Sequence, residues 1–262
     1  MKATVILILA LARPLASLAA DDAASVPAPE SRVREWQRLA GIDDTGWRLI
    51  DEKPSRVAWR RPDGIIVQLD TLRRGADHEP YLYDMLQARD HFRDEARSNH
   101  AGLVEVQVRR MALGTYDLVT TKTTLGEMSP QSAGDAANVP VYTMFAAFPM
   151  PTYIGTITLF AVEPSPTGQR EALVFAARAL KDPKATQAGT QRHDPYDARY
   201  DDTARYVDSD ARQWDGLVPH HPLTRLRVLM PQLLANSKVA NVAASVEAEL
   251  AAASAAKSAA GH

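Results

Sequence analysis

Acidic and aromatic side chains that could do chemistry concentrate in residues 193–219, which we call the Asp/Tyr-rich segment. Three of its carboxylates, Asp208, Asp210 and Asp215, are oxygen donors that a hard cation such as Ca²⁺ could collect. The segment nevertheless lacks the glycine and the terminal glutamate of the twelve-residue Ca²⁺ loop. The alternative is a solvated or docked strap, in which the rings lie on the domain surface and the charges pair outward. Its aromatic residues are then the candidate contacts to a partner: Tyr196, Tyr200, Tyr206 and Trp214.

Histidines form two further groupings with ligand-like spacing. His91 and Glu95 stand four residues apart in a predicted helix and therefore share a face. A zinc site needs three or four ligands, so a surface pair is the favoured interpretation. His220 and His221 precede the last predicted helix, where they could bind a metal or sense pH. The simpler interpretation is that one of them supplies a polar group at the helix start.

The composition excludes several classes of chemistry. The chain has 262 residues and no cysteine, which excludes disulfides, thiol catalysis, iron–sulfur clusters and cysteine zinc sites. Gly-x-Ser-x-Gly and glycine-rich phosphate loops are absent, and the one Ser-x-x-Lys match, Ser254 to Lys257, lies in an alanine-rich tail. A formal charge of −2 gives no basic field for nucleic acid. We therefore predict no cofactor and no nucleic-acid partner, and we leave open whether the chain is an enzyme.

The first twenty residues are organised like a secretory signal. Lys2 gives a positive start, and residues 3–12 are apolar except for Thr4. Ser17 and Ala19 are small residues at the positions that a signal peptidase reads. The run is shorter than the roughly 20 apolar residues that span a bilayer. We therefore expect cleavage of residues 1–20, a periplasmic or secreted protein, and no membrane span after cleavage; a membrane anchor or a buried helix is the alternative.

Hydrophobic periodicity predicts the elements that hold these groups in place. Val33 and Trp36 fall on one face of a helix at residues 31–40. Gly41 follows where a left-handed cap is wanted. Residues 61–64, Arg-Pro-Asp-Gly, predict a hairpin turn, because proline presets the first turn dihedral and glycine accepts a positive φ. The other elements are predicted in this order: a strand from Trp47, strands at 56–60 and 65–72, a helix at 79–98, strands at 103–111, 118–125, 139–148 and 153–162, and a helix that begins near Ser165.

Apolar residues are distributed differently in the last two strands and in the C-terminal helix. Residues 139–148 and 153–162 are apolar on both faces, which is typical of central strands covered on both sides. Residues 126–138 are polar and without periodicity, so no element is predicted there. The helix after Pro222 has a single apolar face, formed by Leu223, Leu226, Met230, Leu233 and Leu234.

The order of these elements also carries a family resemblance. It places Trp59 and the hairpin at 61–64 early, residues 82–96 in a middle helix, and residues 155–160 before a helix at 172–180. Over roughly residues 45–181 the chain thereby resembles the Mog1/PsbP/DcrB-like superfamily. The resemblance implies an α+β fold in which an antiparallel β-sheet is flanked by helices. Members have unrelated functions, so no functional residue is transferred from them.

The predicted organisation is an α+β domain with an irregular C-terminal extension and helix. Its parts are a signal peptide at 1–20, a flexible leader at 21–30, the sheet domain at 31–182, a linker and the Asp/Tyr-rich segment at 183–219, and a C-terminal amphipathic helix with an alanine-rich tail at 220–262. Under this organisation, removal of residues 190–262 is expected to leave a folded core.

Three functions remain after these exclusions. The first is an exported, non-enzymatic binding or assembly module of the bacterial envelope, which contacts a protein partner or a small ligand. The second is a secreted hydrolase whose site is assembled from dispersed aspartates and histidines. The third is a carrier of a small apolar ligand, which the two-sided apolar strands would line. The first is favoured, because catalytic motifs are missing from the sequence.

Overall fold

The computed structural model describes residues 30–73, 92–96, 98–111, 114–129, 134–150, 153–165, 167–170, 172, 173, 176, 215–235 and 237. In chain order the elements are α1 (Glu30–Leu39), β1 (Arg48–Lys53), β2 (Arg56–Arg60), β3 (Ile66–Arg73), β4 (Gly102–Met111), β5 (Gly114–Thr124), α2 (Leu125–Met128), a 3-10 turn (Gly134–Ala136), β6 (Pro140–Pro149), β7 (Tyr153–Val162) and α3 (Pro222–Ala235). Residues 92–96 are also helical. Within these ranges no helix has the length and apolar character that a membrane crossing requires.

The seven strands form one sheet in the order β1-β2-β3-β7-β6-β5-β4. Every neighbouring pair is antiparallel, so the sheet consists of two meanders that meet where β3 pairs with β7. The predicted α+β class with an antiparallel sheet is therefore confirmed. β7 is the central strand and its residues are buried on both faces, as the two-sided apolar pattern of residues 153–162 predicts.

The predicted hairpin between β2 and β3 is confirmed in its turn geometry. Arg61 donates its backbone N–H to the carbonyl of Ile65 at 2.9 Å, and Gly64 donates to the carbonyl of Arg61 at 3.0 Å. Gly64 has φ of 86°, a left-handed value that favours glycine. Gly41 likewise has φ of 65° just after α1, where the sequence predicts the helix cap.

One face of the sheet is covered by α1 and α3. Trp36 of α1 is fully buried, and its indole N–H donates to the carbonyl of Thr156 on β7 at 2.8 Å. α3 packs against β6 and β7. The main hydrophobic cluster contains residues of both helices and of the sheet; those from α3 are Leu223, Leu226, Leu229, Met230 and Leu234. The C-terminal helix thus contributes side chains to the core, and removal of residues 190–262 would take these side chains away.

The opposite face of the sheet is covered at its two ends by different segments. At one end, Phe92 and Ala96 pack with Val119 and Phe145. At the other end, α2 and the 3-10 turn cover Val141 and Phe160. Residues 126–128 and 134–136 are therefore helical, although the sequence of this polar segment shows no periodicity. Thr124 begins this segment by accepting, through its hydroxyl, the backbone N–H of Glu127.

Strand β5 differs from its predicted bounds. It begins at Gly114 instead of residue 118, so Tyr116 and Asp117 lie inside the strand and not in a turn. It ends at Thr124, and Leu125 begins α2. Several predicted parts lie outside the described residues: the signal peptide, the leader up to residue 29, residues 79–91 of the middle helix, residues 177–214 and the tail after residue 237.

Candidate functional site

The first turn of α3 is held by His221. Its Nδ1 accepts the backbone N–H of Leu223 at 3.2 Å, which satisfies one of the free donors of the helix start. The interpretation of a histidine as the polar group at this helix start is confirmed. Because Nδ1 is an acceptor here, the hydrogen of the neutral ring lies on Nε2. The capping role therefore also fixes the tautomer of the ring.

The Nε2 side of His221 faces a buried carboxylate. Glu163 follows directly after β7, and its Oε2 lies 3.7 Å from His221 Nε2. Both side chains are less than one-tenth exposed. The edge of the His221 ring also packs against Tyr142, with 4.9 Å between ring centroids. Lys122, on the neighbouring strand, places its ammonium 5.4 Å from the centre of the Tyr142 ring.

Further along the same side of α3, a single aspartate bridges two arginines. Asp215 Oδ1 accepts from Arg170 Nη1 at 2.5 Å and from Arg227 Nη1 at 3.2 Å. The hydroxyl of Thr224 lies 3.4 Å from the same oxygen. Arg170 is fully buried and Arg227 nearly so, whereas the Asp215 side chain is one-fifth exposed. The low local dielectric makes this set of charge-assisted bonds strong and its disruption costly.

These side chains form one structural unit, which we call the α3 junction (Glu163, Arg170, Asp215, His221, Thr224 and Arg227). Positions 221, 224 and 227 follow one another at three-residue spacing, so they lie on one side of α3. The junction ties α3 to the chain after β7 and to the turn that precedes the helix. Two guanidinium groups balance two carboxylates when His221 is neutral, which leaves no excess negative charge to attract a cation.

The structure describes only one of the predicted metal ligands. Asp215 lies in the α3 junction with two arginines as partners. Asp208 and Asp210 lie outside the described residues, as do Tyr196, Tyr200, Tyr206 and Trp214. Across the described parts of the chain, no three histidine or carboxylate side chains are grouped as a metal site requires. The predictions for the remaining residues of the Asp/Tyr-rich segment stay predictions.

Sequence reasoning did not identify four residues of this region. Glu163, Arg170 and Arg227 are charged residues that become buried only through tertiary contacts. Lys122 sits in a strand whose alternation assigns it to a buried face. One signal in the sequence concerned Lys122: the alternation of side chains in β5 and β6. Lys122 and Tyr142 are direct partners across these two strands, so their side chains lie on the same face.

Glu95 differs from the surface residue that the predicted pair with His91 would require. It is only partly exposed, and burial raises the pKa of its carboxyl to about 7. His91, its proposed surface partner, lies outside the described residues. Tyr153 is a second group displaced by burial, which raises the pKa of its phenol to about 12. Glu95 is therefore a described carboxyl that changes charge near neutral pH.

The chain matches no known family model, and no curated protein is significantly similar to it.

Proposed function

We propose that the chain is an exported, non-enzymatic binding or assembly module of the bacterial envelope, built on a Mog1/PsbP/DcrB-like domain. The observation that carries the proposal is the use made of Asp215 and His221. Asp215 is bonded to two arginines, and His221 uses one ring nitrogen for the helix start and turns the other towards Glu163. A general base needs a lone pair within reach of substrate, and the bonds that Asp215 and His221 make within the protein compete with that role.

The α3 junction also supports the choice of the binding segment. Arg170 and Asp215 are 45 positions apart in the chain, yet their side chains are bonded. The two ends of the intervening chain are therefore held together at one place. A segment whose ends are fixed by a rigid scaffold is a frequent location of recognition residues. We place the partner contacts at Tyr196, Tyr200, Tyr206 and Trp214, which this segment contains.

The experiment exchanges residues 193–214 for a Gly/Ser linker of equal length. This variant keeps Asp215 and α3, so it retains the core side chains of α3 that a truncation at residue 190 would remove. A matched control replaces the tail, residues 240–262, with the same type of linker. All three proteins are expressed with their own N-terminus in the source cells and crosslinked in the intact envelope. We expect a mature N-terminus at Asp21 and a periplasmic or secreted location.

The expected result is one discrete crosslinked product for the native chain and for the tail variant, and its loss in the segment variant at an unchanged unfolding temperature. Persistence of the product in the segment variant, or its absence from the native chain, contradicts the proposal. The hydrolase alternative requires turnover of an ester, peptide, glycoside or phosphoester that is lost in the Asp215→Asn or His221→Gln variant. Such turnover would contradict the proposed non-enzymatic function and support the hydrolase alternative.

A further inference from the structure

We propose that Arg48 and Arg60 together form a binding site for a phosphate group at the β1 edge of the sheet. The two residues are directly opposite one another in the antiparallel β1–β2 pair. Side chains at such positions extend from the same face, with Cβ atoms about 5 Å apart. The backbone therefore holds the two Cβ atoms close together, so that both guanidinium groups can reach one anion. This proposal goes beyond the function proposed above and does not depend on it.

The nearest neighbours of the two arginines are uncharged apart from Asp51, which is opposite Ala58 and has Lys53 as its ion-pair partner at 3.8 Å. Along the strands, the same-face neighbours of Arg60 are Ala58 and Pro62, and Arg60 is opposite Ile66 on β3. Gly46 and Ile50 flank Arg48 in the sequence. Among the described hydrogen bonds and ion pairs, none includes Arg48 or Arg60. Like charges placed directly opposite in a sheet are destabilising, so a bound anion would remove an unfavourable interaction.

A second like-charge pair in the same two strands shows the contrast. Lys53 is opposite Arg56, but each of these cations has its own carboxylate. Arg56 Nε donates to Asp70 at 2.7 Å, and Lys53 Nζ lies 3.8 Å from Asp51. The Lys53–Arg56 pair is thus neutralised by carboxylates of the chain itself, whereas the Arg48–Arg60 pair has no carboxylate partner among the described ion pairs. Arg48 is exposed and Arg60 is partly exposed, so an anion can reach both.

The geometry of two guanidinium forks favours phosphate over carboxylate. Each fork presents parallel N–H donors to two oxygens of one acceptor. A carboxylate has one pair of oxygens and can accept one fork bidentately, whereas the three terminal oxygens of a phosphomonoester can accept two forks bidentately. Arginine is also the side chain best suited to such bidentate phosphate recognition. A soluble phosphomonoester and the monoester headgroup of phosphatidic acid would present the same chemistry.

The test titrates the full mature chain, labelled with ¹⁵N, with inorganic phosphate at constant ionic strength. We expect saturable shifts of the Arg48 and Arg60 signals with a dissociation constant on the order of 1 mM. Arg48→Gln and Arg60→Gln should each weaken binding at least about tenfold. Arg48→Lys, which keeps the charge and loses the fork, should give an intermediate loss. The control Lys53→Gln removes one positive charge from the same strand and should leave the affinity unchanged.

Further arms separate the possible sources of the phosphate. Acetate at matched ionic strength should give no saturable shift. Cosedimentation with vesicles that contain phosphatidic acid, lost in Arg60→Gln and absent with phosphatidylcholine alone, assigns the site to a lipid headgroup. Phosphate binding without cosedimentation assigns it to a soluble phosphate compound. The proposal is overturned if phosphate gives no saturable shift, or if Lys53→Gln weakens binding as much as Arg48→Gln does.

Discussion

Substitution of Gly155 by alanine tests how α1 is attached to the sheet. A Cβ at Gly155 would lie 2.6, 2.7 and 2.8 Å from three carbons of the Trp36 ring. Carbon atoms in favourable contact are about 3.5–4.0 Å apart, so the ring must move by about 1 Å. Trp36 is fully buried, its N–H is bonded to Thr156, and its ring packs against Phe148 with 5.5 Å between centroids. The ring therefore has no free space into which it can shift.

The expected cost follows from these contacts. Overpacking a core typically costs about 1–3 kcal/mol. Weakening the buried indole hydrogen bond adds about 1 kcal/mol or more. The lower unfolded-state entropy of alanine returns about 0.5–1 kcal/mol. We expect Gly155→Ala to lower the free energy of unfolding by about 3 kcal/mol, measured by urea denaturation followed by far-ultraviolet circular dichroism.

A matched glycine provides the control for this prediction. Gly216 has no heavy atom within 4 Å of a built Cβ, so Gly216→Ala should change stability by less than about 0.5 kcal/mol. In a Trp36→Phe background, the smaller ring should reduce the cost of Gly155→Ala to less than half. An equal cost in both backgrounds, or a stability of Gly155→Ala within about 0.5 kcal/mol of the native chain, would refute the packing argument.

The remaining predictions concern the buried charges. Burial raises the pKa of Glu95 from 4.5 to about 7, so the folded chain holds this proton more tightly than the unfolded chain does. The free energy of unfolding should therefore fall by about 3 kcal/mol as pH rises from about 4.5 to about 7. Glu95→Gln should remove that fall in urea titrations across this range; an identical pH profile would contradict it. Asp215→Asn leaves Arg170 and Arg227 buried without their carboxylate and should lower the free energy of unfolding by about 3 kcal/mol in thermal unfolding. The control Glu52→Gln changes a half-exposed carboxylate and should lower it by less than about 1 kcal/mol. His221→Ala removes the acceptor for Leu223 and should cost about 1 kcal/mol by the same assay, with no change expected for exposed His220→Ala.

Local patterns predicted the parts of the fold that depend on neighbouring residues. The hairpin at 61–64 and the cap at Gly41 depend on backbone dihedrals of one or two residues, and both are confirmed. The central place of β7 follows from apolar residues on both of its faces. The start of β5 was wrong because Tyr116 and Asp117 have turn-like neighbours in the sequence, whereas strand pairing with β4 decides their conformation.

The α3 junction could not be predicted, because its partners are distant in the sequence. Arg170 and Asp215 meet only after β7 and α3 have packed, and each alone resembles an ordinary surface charge. The burial of Glu95 could not be predicted either, because the hydrophobic pattern of the middle helix places this residue on the polar side. His221 was predictable as a helix-start residue because capping depends on local spacing alone.

The pairing of β3 with β7 has a consequence for synthesis of the chain. β3 ends at Arg73, but its second partner does not begin until Tyr153. During that interval the first meander exposes a row of unpaired backbone groups next to Val67 and Leu69, which become fully buried in the finished protein. Closure of such a distant pairing is slow compared with hairpin formation. A newly made chain therefore carries this open strand edge, on which a second chain could pair, until more than half of it has been translated.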